Sequence, residues 1–534
     1  MRHFLFFILF TFACFCAFAD TDVSGSQSGT WNLAGSPYNV IGDITIPPGS
    51  DLLIQPGVQV VVMGDYQITA EGTLTATGTE ADSIFFHNGQ AIPEALWGGI
   101  RLENEAQMSN IQFCYLEKAE IGVNSINSPC NISYNRFTLN EKAIQLYGIG
   151  DPDPATVQVD YNIVEYSIQN GILVTQNSNA VIQNNEIRYN GTGTQYRGAI
   201  QLSNQSQGGS CSPLIQNNHI HHNLKQGITA WDIYGDNGIH PQILNNMIEN
   251  NLTGIYLLNS SGYVADNIIR HNFIIGDANS GAGVMVAGGT SEPYFERNEI
   301  YGNFTGFYLG NNAQPCLGNL SIYHDWAQGE NEIYDNIDES NILHSVYCYS
   351  YTDSGLTISA ENNYWGTDDP VEIAQGINDH NDNASLPTVD FEPYLTGQDE
   401  TVVNGSVVYN GVFTLTNYRI QFVSHATGDV FQEYDLDPGQ PFSFSLDLPE
   451  EFHVVVLADA EGTDQTQFGS PGGLLDPTVF YPDPTDPINV GVIEIQDTLP
   501  PRYQEVGAPM DIEGQLCHPV YNSFFVYHWE YINW

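Results

Sequence analysis

The chain reads as an all-β protein, a long solenoid of short stacked strands followed by a small antiparallel β-sandwich. Three observations predict this. Between Asn135 and Asn336 one phrase, Asn-x-apolar-x-x-Asn, is written eight times. After most copies comes a Gly or Ala and a short apolar stretch alternating with period two, as in GILV at Gly171, GITA at Gly227, GIYL at Gly254, GVMV at Gly283 and GFYL at Gly306. Beyond Leu395 the pattern changes to longer alternating strands separated by Asn-Gly and Pro-Gly turns.

The copies begin at Asn135, Asn162, Asn185, Asn218, Asn246, Asn267, Asn298 and Asn331, at intervals of 21 to 33 residues. Their apolar position is Phe137, Val164, Ile187, Ile220, Ile248, Ile269, Ile300 or Ile333, and the closing Asn is replaced once, by Ser167. A fixed phrase with elastic spacing means one constant corner per turn of a coil, with variable loops elsewhere. A sharp corner asks for left-handed backbone angles, which Asn tolerates best among residues with a side chain. The leading Asn residues are therefore expected at such angles, their amides bonded to one another along the axis.

Earlier coils are less regular. ITIPPG at Ile44, LLIQPG at Leu52, VQVVVMG at Val58, YQITAEG at Tyr66 and TLTATGT at Thr73 are short strands ended by Pro-Gly or Gly turns, and Trp97-Gly98-Gly99-Ile100 opens another coil. With the Asn phrases, these segments resemble the right-handed parallel β-helix repeat family, which includes pectate-lyase-like and periplasmic NosD-like proteins. PGVQV and WGGIRL look like its opening coils, and ENNYWGTDDP from Glu361 with VDFEPYL at Val389 looks like its last coil and exit. The resemblance implies a right-handed parallel β-helix over residues 24–395, of about a dozen coils and on the order of 60 Å long. It specifies no activity. After the polar stretch GQDETVVNG, the strands of residues 402–496 resemble prealbumin-like modules, and residues 497–534 form an aromatic-rich tail of no assignable role.

Residues 1–19 read as a secretory signal: Arg2 and His3 precede the apolar run Phe4–Phe18, and Ala17-Phe18-Ala19 is a small-x-small cleavage site. The run is short of the roughly 20 residues an anchor needs, so an exported, extracellular or cell-surface protein that does not span the membrane is expected. Formal net charge is −51, and Arg2 leaves with the signal. Such acidity excludes nucleic acid as a partner. It also disfavours polyanionic substrates unless divalent cations bridge them, and by itself it serves solubility. Six cysteines follow the signal without CxxC spacing, which argues against zinc and leaves two roles open, disulfides or small buried side chains.

Aligning the phrases on their inward apolar residue places one neighbour of each on a common outer stripe: Glu165, Arg188, His221, Glu249, Arg270 and Tyr301. The loop from Trp231 to Tyr234 is expected to overhang it. Stacked Glu, Arg, His and aromatic groups suit a saccharide groove; the plain alternative is a solvated strand face of cross-strand ion pairs. A catalytic set is not evident. A β-helix lyase takes Lys, Arg or His as base, but the chain has three lysines after the signal, Lys118, Lys142 and Lys225, none in an acidic motif. The His-Gly and Arg-x-Lys elements of β-helix hydrolases do not occur, and His219, His221, His222 and His271 are the one histidine concentration. Asp379, Asn381 and Asn383, followed by Asp390, have the oxygen spacing of a calcium loop, although Ala384 and Pro387 depart from it; a polar exit loop is the default reading, and Ca2+ is the one candidate metal. The expected function is a non-catalytic exported protein that binds glycans or neighbouring surface molecules along the rod. The alternative is a secreted polysaccharide-degrading enzyme, lyase before hydrolase.

Overall fold

The computed structural model describes residues 20–90, 95–103, 108–148, 157–194, 198–273, 281–322, 327–338 and 340–396, and strands within 401–495. The signal segment and the aromatic tail lie outside the described residues. The chain divides into two units, Met1–Thr396 and Gly397–Trp534.

The first unit is a right-handed parallel β-helix. Each regular coil carries strands on three sides, as in Leu214–Gln216, His219–His221 and Gln226–Trp231. The first side stacks into an eleven-stranded parallel sheet running from Gly29–Trp31 to Tyr294–Glu296. The other two sides stack likewise, strand on strand in parallel register. Period-two alternation turns the apolar position of every phrase inward, and all eight, from Phe137 to Ile333, are 0% exposed. Burial of each such side chain stabilises the coil by about 1.5–3 kcal/mol.

The corners correct one expectation. The leading Asn residues do not take left-handed angles; the residue before each does. Tyr134, Tyr161, Asn184, Asn217, Asn245, Asp266, Arg297 and Glu330 all have φ between 49° and 58°. Each leading Asn is instead buried, and its Nδ2 donates to Oδ1 of the Asn one coil on, at 2.8–3.0 Å from Asn135 through to Asn363. Its Oδ1 also accepts the backbone N–H of the preceding Asn, as from Asn218 to Asn246 at 3.0 Å. Backbone groups turned inward at this corner need partners that no strand supplies. The Asn amide, donor and acceptor at once, meets that need in every coil. The closing Asn residues build a second ladder, Asn190 to Asn336, at 2.9–3.1 Å per rung.

The cysteine alternatives resolve toward packing: Cys114, Cys130, Cys211 and Cys348 are buried and free, and Cys316 is half-buried and free. Cys517 lies outside the described residues. No helix among the described residues is long and apolar enough to cross a membrane. In the second unit, Pro441–Leu446, Thr401–Tyr409 and Ile488–Ile495 form one sheet. Val430–Leu436, Asn417–Ser424, Phe452–Asp459 and Gly472–Leu474 form another. Ile420, Phe422, Phe452, Val454 and Val456 are the buried centre of this unit. Its pairings are antiparallel save that of Thr401–Tyr409 with Ile488–Ile495.

Candidate functional site

On the second side of the coils the phrase strands align residue by residue, so Thr138, Glu165, Arg188, His221, Glu249, Arg270, Tyr301 and Tyr334 stand in one row. A parallel row holds Arg136, Ile163, Glu186, His219, Met247, Ile268, Glu299 and Glu332. The first row is less open than the sequence suggests. Glu165 is 1% exposed because Arg136 and Arg188 close over it, donating from Nε at 2.8 and 3.0 Å. Arg188 also grips Glu186. Arg270 donates to Glu249 at 2.8 Å and to the Tyr301 hydroxyl at 2.7 Å. That Tyr301 contact, against the cost of burial, and then Glu249 raise the Arg270 pKa further above its usual range. Burial opposes ionisation of Glu249, yet hydrogen bonds from His219 and Arg270 hold its carboxyl below the ordinary value. The forks are thus largely occupied by neighbouring carboxylates, as in a ladder of cross-strand ion pairs.

Three histidines gather on one coil of this side. His219 and His221 stack with ring centroids 4.0 Å apart. His221 Nδ1 lies 2.8 Å from His222 Nδ1, and its Nε2 faces Glu186 at 3.3 Å. Burial, then repulsion from His219, pushes the His221 pKa down. Beside the row, Phe113, Tyr134 and Tyr161 stack face to face at 4.8 and 4.9 Å, which leaves ring edges rather than faces toward solvent.

Trp231 stands apart from these six residues. It ends the Gln226–Trp231 strand on the third side, in register with Ser203 and Leu258. Its loop is tied to the coil before: Asn204 Nδ2 donates to buried Asp232 at 2.7 Å, and the Tyr234 hydroxyl to Gln205 O at 3.0 Å. The expected overhang is therefore corrected, because the strand carries Trp231 around a corner from the charged row.

The calcium spacing builds a turn instead. Asp379 is buried, and its oxygens accept the backbone N–H groups of Asn381 at 2.8 Å and Val389 at 2.9 Å. Asn383 Oδ1 accepts from Ser385, and Asp390 is exposed on the Thr388–Asp390 strand. The Asp379 and Asn383 oxygens thus cap the backbone of this turn. Among the described residues, no group of three or more His, Cys, Asp or Glu is placed to hold a metal ion.

The third side carries what the sequence reading missed. Its positions turned away from the core run Asn124, Gln145, Leu173, Gln201, Thr229, Tyr256, Met285, Tyr308 and Tyr347 in one row, of which Asn124, Gln201 and Thr229 are buried. A second row runs Ile126, Tyr147, Thr175, Ser203, Trp231, Leu258, Ala287, Gly310 and Tyr349. Neither row holds a charge. Asn170, donating to Gln201 at 3.1 Å and to Gly198 O at 2.8 Å, roofs the middle. From Trp231 onward the face is rich in rings, with Tyr308 stacked against Tyr349 at 4.3 Å and Tyr347 at 5.5 Å. Burial, then Tyr308, pushes the Tyr349 hydroxyl up to about 12, so it stays a neutral donor. The signal was present in GIYL, GVMV and GFYL, whose outward members are Tyr256, Met285 and Tyr308.

The family described as a right-handed beta helix region matches residues 98–274. No curated protein matches the chain. Among solved structures, the chain is similar to a periplasmic alginate epimerase at 13% identity and TM-score 0.28, covering 70% of this chain and 84% of that one. It is similar to an alginate lyase from Paenibacillus sp. str. FPU-7 at 12% and 0.25, covering 67% and 99%. A third likeness is the catalytic domain of an alpha-1,3-glucanase at 11% and 0.24, covering 68% and 62%. Likenesses at these scores carry no argument about activity.

Proposed function

We propose that this protein is an exported rod that binds a neutral polysaccharide along the third side of its coils, without cleaving it. One observation carries the reading: in a chain of net charge −51, both outward rows from Asn124 to Tyr349 are uncharged and lead into Trp231 and a tyrosine cluster. The open ring of Trp231 with the neutral hydroxyl and amide groups of these rows suits pyranose rings, and the surrounding acidity repels uronates. A lyase reading would take His221 as base, with Arg188 and Arg270 neutralising the substrate carboxylate. Those guanidinium groups are already engaged by Glu165, Glu186, Glu249 and Tyr301.

The test is retention of the purified protein on a panel of neutral and uronate polysaccharides, with assay for new unsaturated ends. The expected result is retention by a neutral polymer, no cleavage, and at least about tenfold weaker binding in Trp231→Ala/Tyr308→Ala, since stacked aromatics contribute on the order of 1 kcal/mol each. Arg188→Ala/Arg270→Ala should bind as the parent does. Uronate cleavage, or binding lost in the arginine pair alone, would move the site to the charged row.

A further inference from the structure

We infer, resting on the polysaccharide reading, that the loop from Trp231 to Gly238 is the seat at which the rod grips a neutral glycan, and that Asp232 is the positioning residue that holds this seat in its binding shape before ligand arrives. Elsewhere on the third side a sugar finds less open apolar surface. Asn124, Gln201 and Thr229 are buried, and Tyr347 and Tyr349 both stack against the Tyr308 ring. Past the end of the Gln226–Trp231 strand the surface changes. Trp231 is 38% exposed, Ile233 55% and Tyr234 50%. Asp236 is the one exposed charge in this loop, and its Oδ2 is turned to the Gly208 N–H. Gln205 and Ser206 of the preceding coil stand beside it, exposed and uncharged.

What sets this loop apart is the backbone beneath its side chains. The coils on either side place Asn204 and Asn259 directly after their third-side strands, where this coil has Asp232. A carboxylate accepts at both oxygens and donates at neither. Asp232 Oδ1 accepts from the Tyr234 and Gly235 N–H groups, each at 2.9 Å, and from Asn204 Nδ2 at 2.7 Å. Its Oδ2 accepts the Gly238 N–H at 2.7 Å. Asn204 Oδ1 takes the Ile233 N–H at 3.0 Å, and the Tyr234 hydroxyl donates to Gln205 O at 3.0 Å. Asp232 is 0% exposed, so its charge faces these donors and no solvent or ligand. An Asn at 232 would turn an NH2 group toward N–H donors on one side or the other, and the loop would lose that anchor. A loop ordered in advance need not be ordered by the sugar, and ordering is where affinity is otherwise lost. The open Trp231 ring and its two exposed neighbours are therefore presented on a fixed backbone, ready for the face of a pyranose.

The experiment uses the full chain with a panel of neutral polysaccharides, binding read by calorimetry and amide hydrogen exchange read by mass spectrometry. Before any ligand is added, the Ile233, Tyr234, Gly235 and Gly238 amides should exchange slowly although their loop is exposed. Asp232→Asn should release them, leave the melting midpoint close to the parent's and weaken binding by roughly 10-fold. Ile233→Ala/Tyr234→Ala removes exposed groups and keeps every backbone bond to Asp232, so it should weaken binding with the amides still protected. That pair carries the test if Asp232→Asn does not fold. Open-chain exchange in the parent, or a folded Asp232→Asn that opens the loop and binds as the parent does, overturns the positioning role. Parent-like binding by the alanine pair moves the seat elsewhere and leaves the polysaccharide reading intact. Failure of every neutral polysaccharide to bind the parent overturns both.

Discussion

Ser167 is the one break in the closing ladder, and filling it should stabilise the rod. Ser167 is 0% exposed and its Oγ has no hydrogen-bond partner, while its backbone N–H still reaches Asn190 Oδ1 at 3.0 Å. An Asn there would donate to Asn190 Oδ1 and to the Phe137 carbonyl and accept from Asn140 Nδ2, the pattern that Asn190 and Asn223 already follow. Each such bond nets about 1 kcal/mol, and ordering the side chain costs about 1 kcal/mol, so Ser167→Asn should add about 1–2 kcal/mol. Room is the risk. At Gly227, Gly254, Gly283 and Gly306 a Cβ would come within 2.8–3.2 Å of the Asn Nδ2 on the next coil. Ala143 holds that position opposite Ser167. Ala199 holds it opposite Asn223, however, and Asn223 keeps rungs of 2.9 and 3.0 Å. The melting midpoint should therefore rise by about 1–4 °C in Ser167→Asn, with Ala143→Gly/Ser167→Asn as the variant that removes any crowding. If both melt at or below the parent, the ladder is not what holds this corner.

Asn246→Val should cost more than about 3 kcal/mol in denaturant unfolding, because it strands the Asn218 N–H and Nδ2 groups in a buried corner; a loss under about 1 kcal/mol would contradict the ladder. His221 has a depressed folded pKa, so the unfolded chain takes up the proton first and stability should fall as pH drops below about 6.5. With EDTA present, His221→Gln should flatten that part of the melting-versus-pH curve, and an unchanged slope would place the titration elsewhere. The segment Val402–Gln496 lies in a separate unit with its own buried centre, so it should fold alone. A circular dichroism spectrum of an unfolded chain would refute that.

The amino-acid sequence by itself determined the coil, the inward apolar positions and the register of the charged row. Period-two alternation leaves each strand residue one direction to point, and the phrase recurs coil after coil. The stacking of Asn amides was legible for the same reason. Which corner residue turns left-handed was not, because Asn suits both a strained backbone and a buried hydrogen bond. Tertiary structure decided it: the amide is needed inside, and the left-handed angle falls on the residue before, even where that is Tyr134 or Glu330. The burial of Glu165 likewise depended on two arginines from neighbouring coils, whose side chains bend toward it across the sheet. The two uncharged rows of the third side, from Asn124 to Tyr349, were written in the strands, but their meaning was not. Loops of different length separate those strands in sequence, and only stacking in space puts Thr229, Tyr256, Met285 and Tyr308 in one line while turning Trp231 away from the charged row.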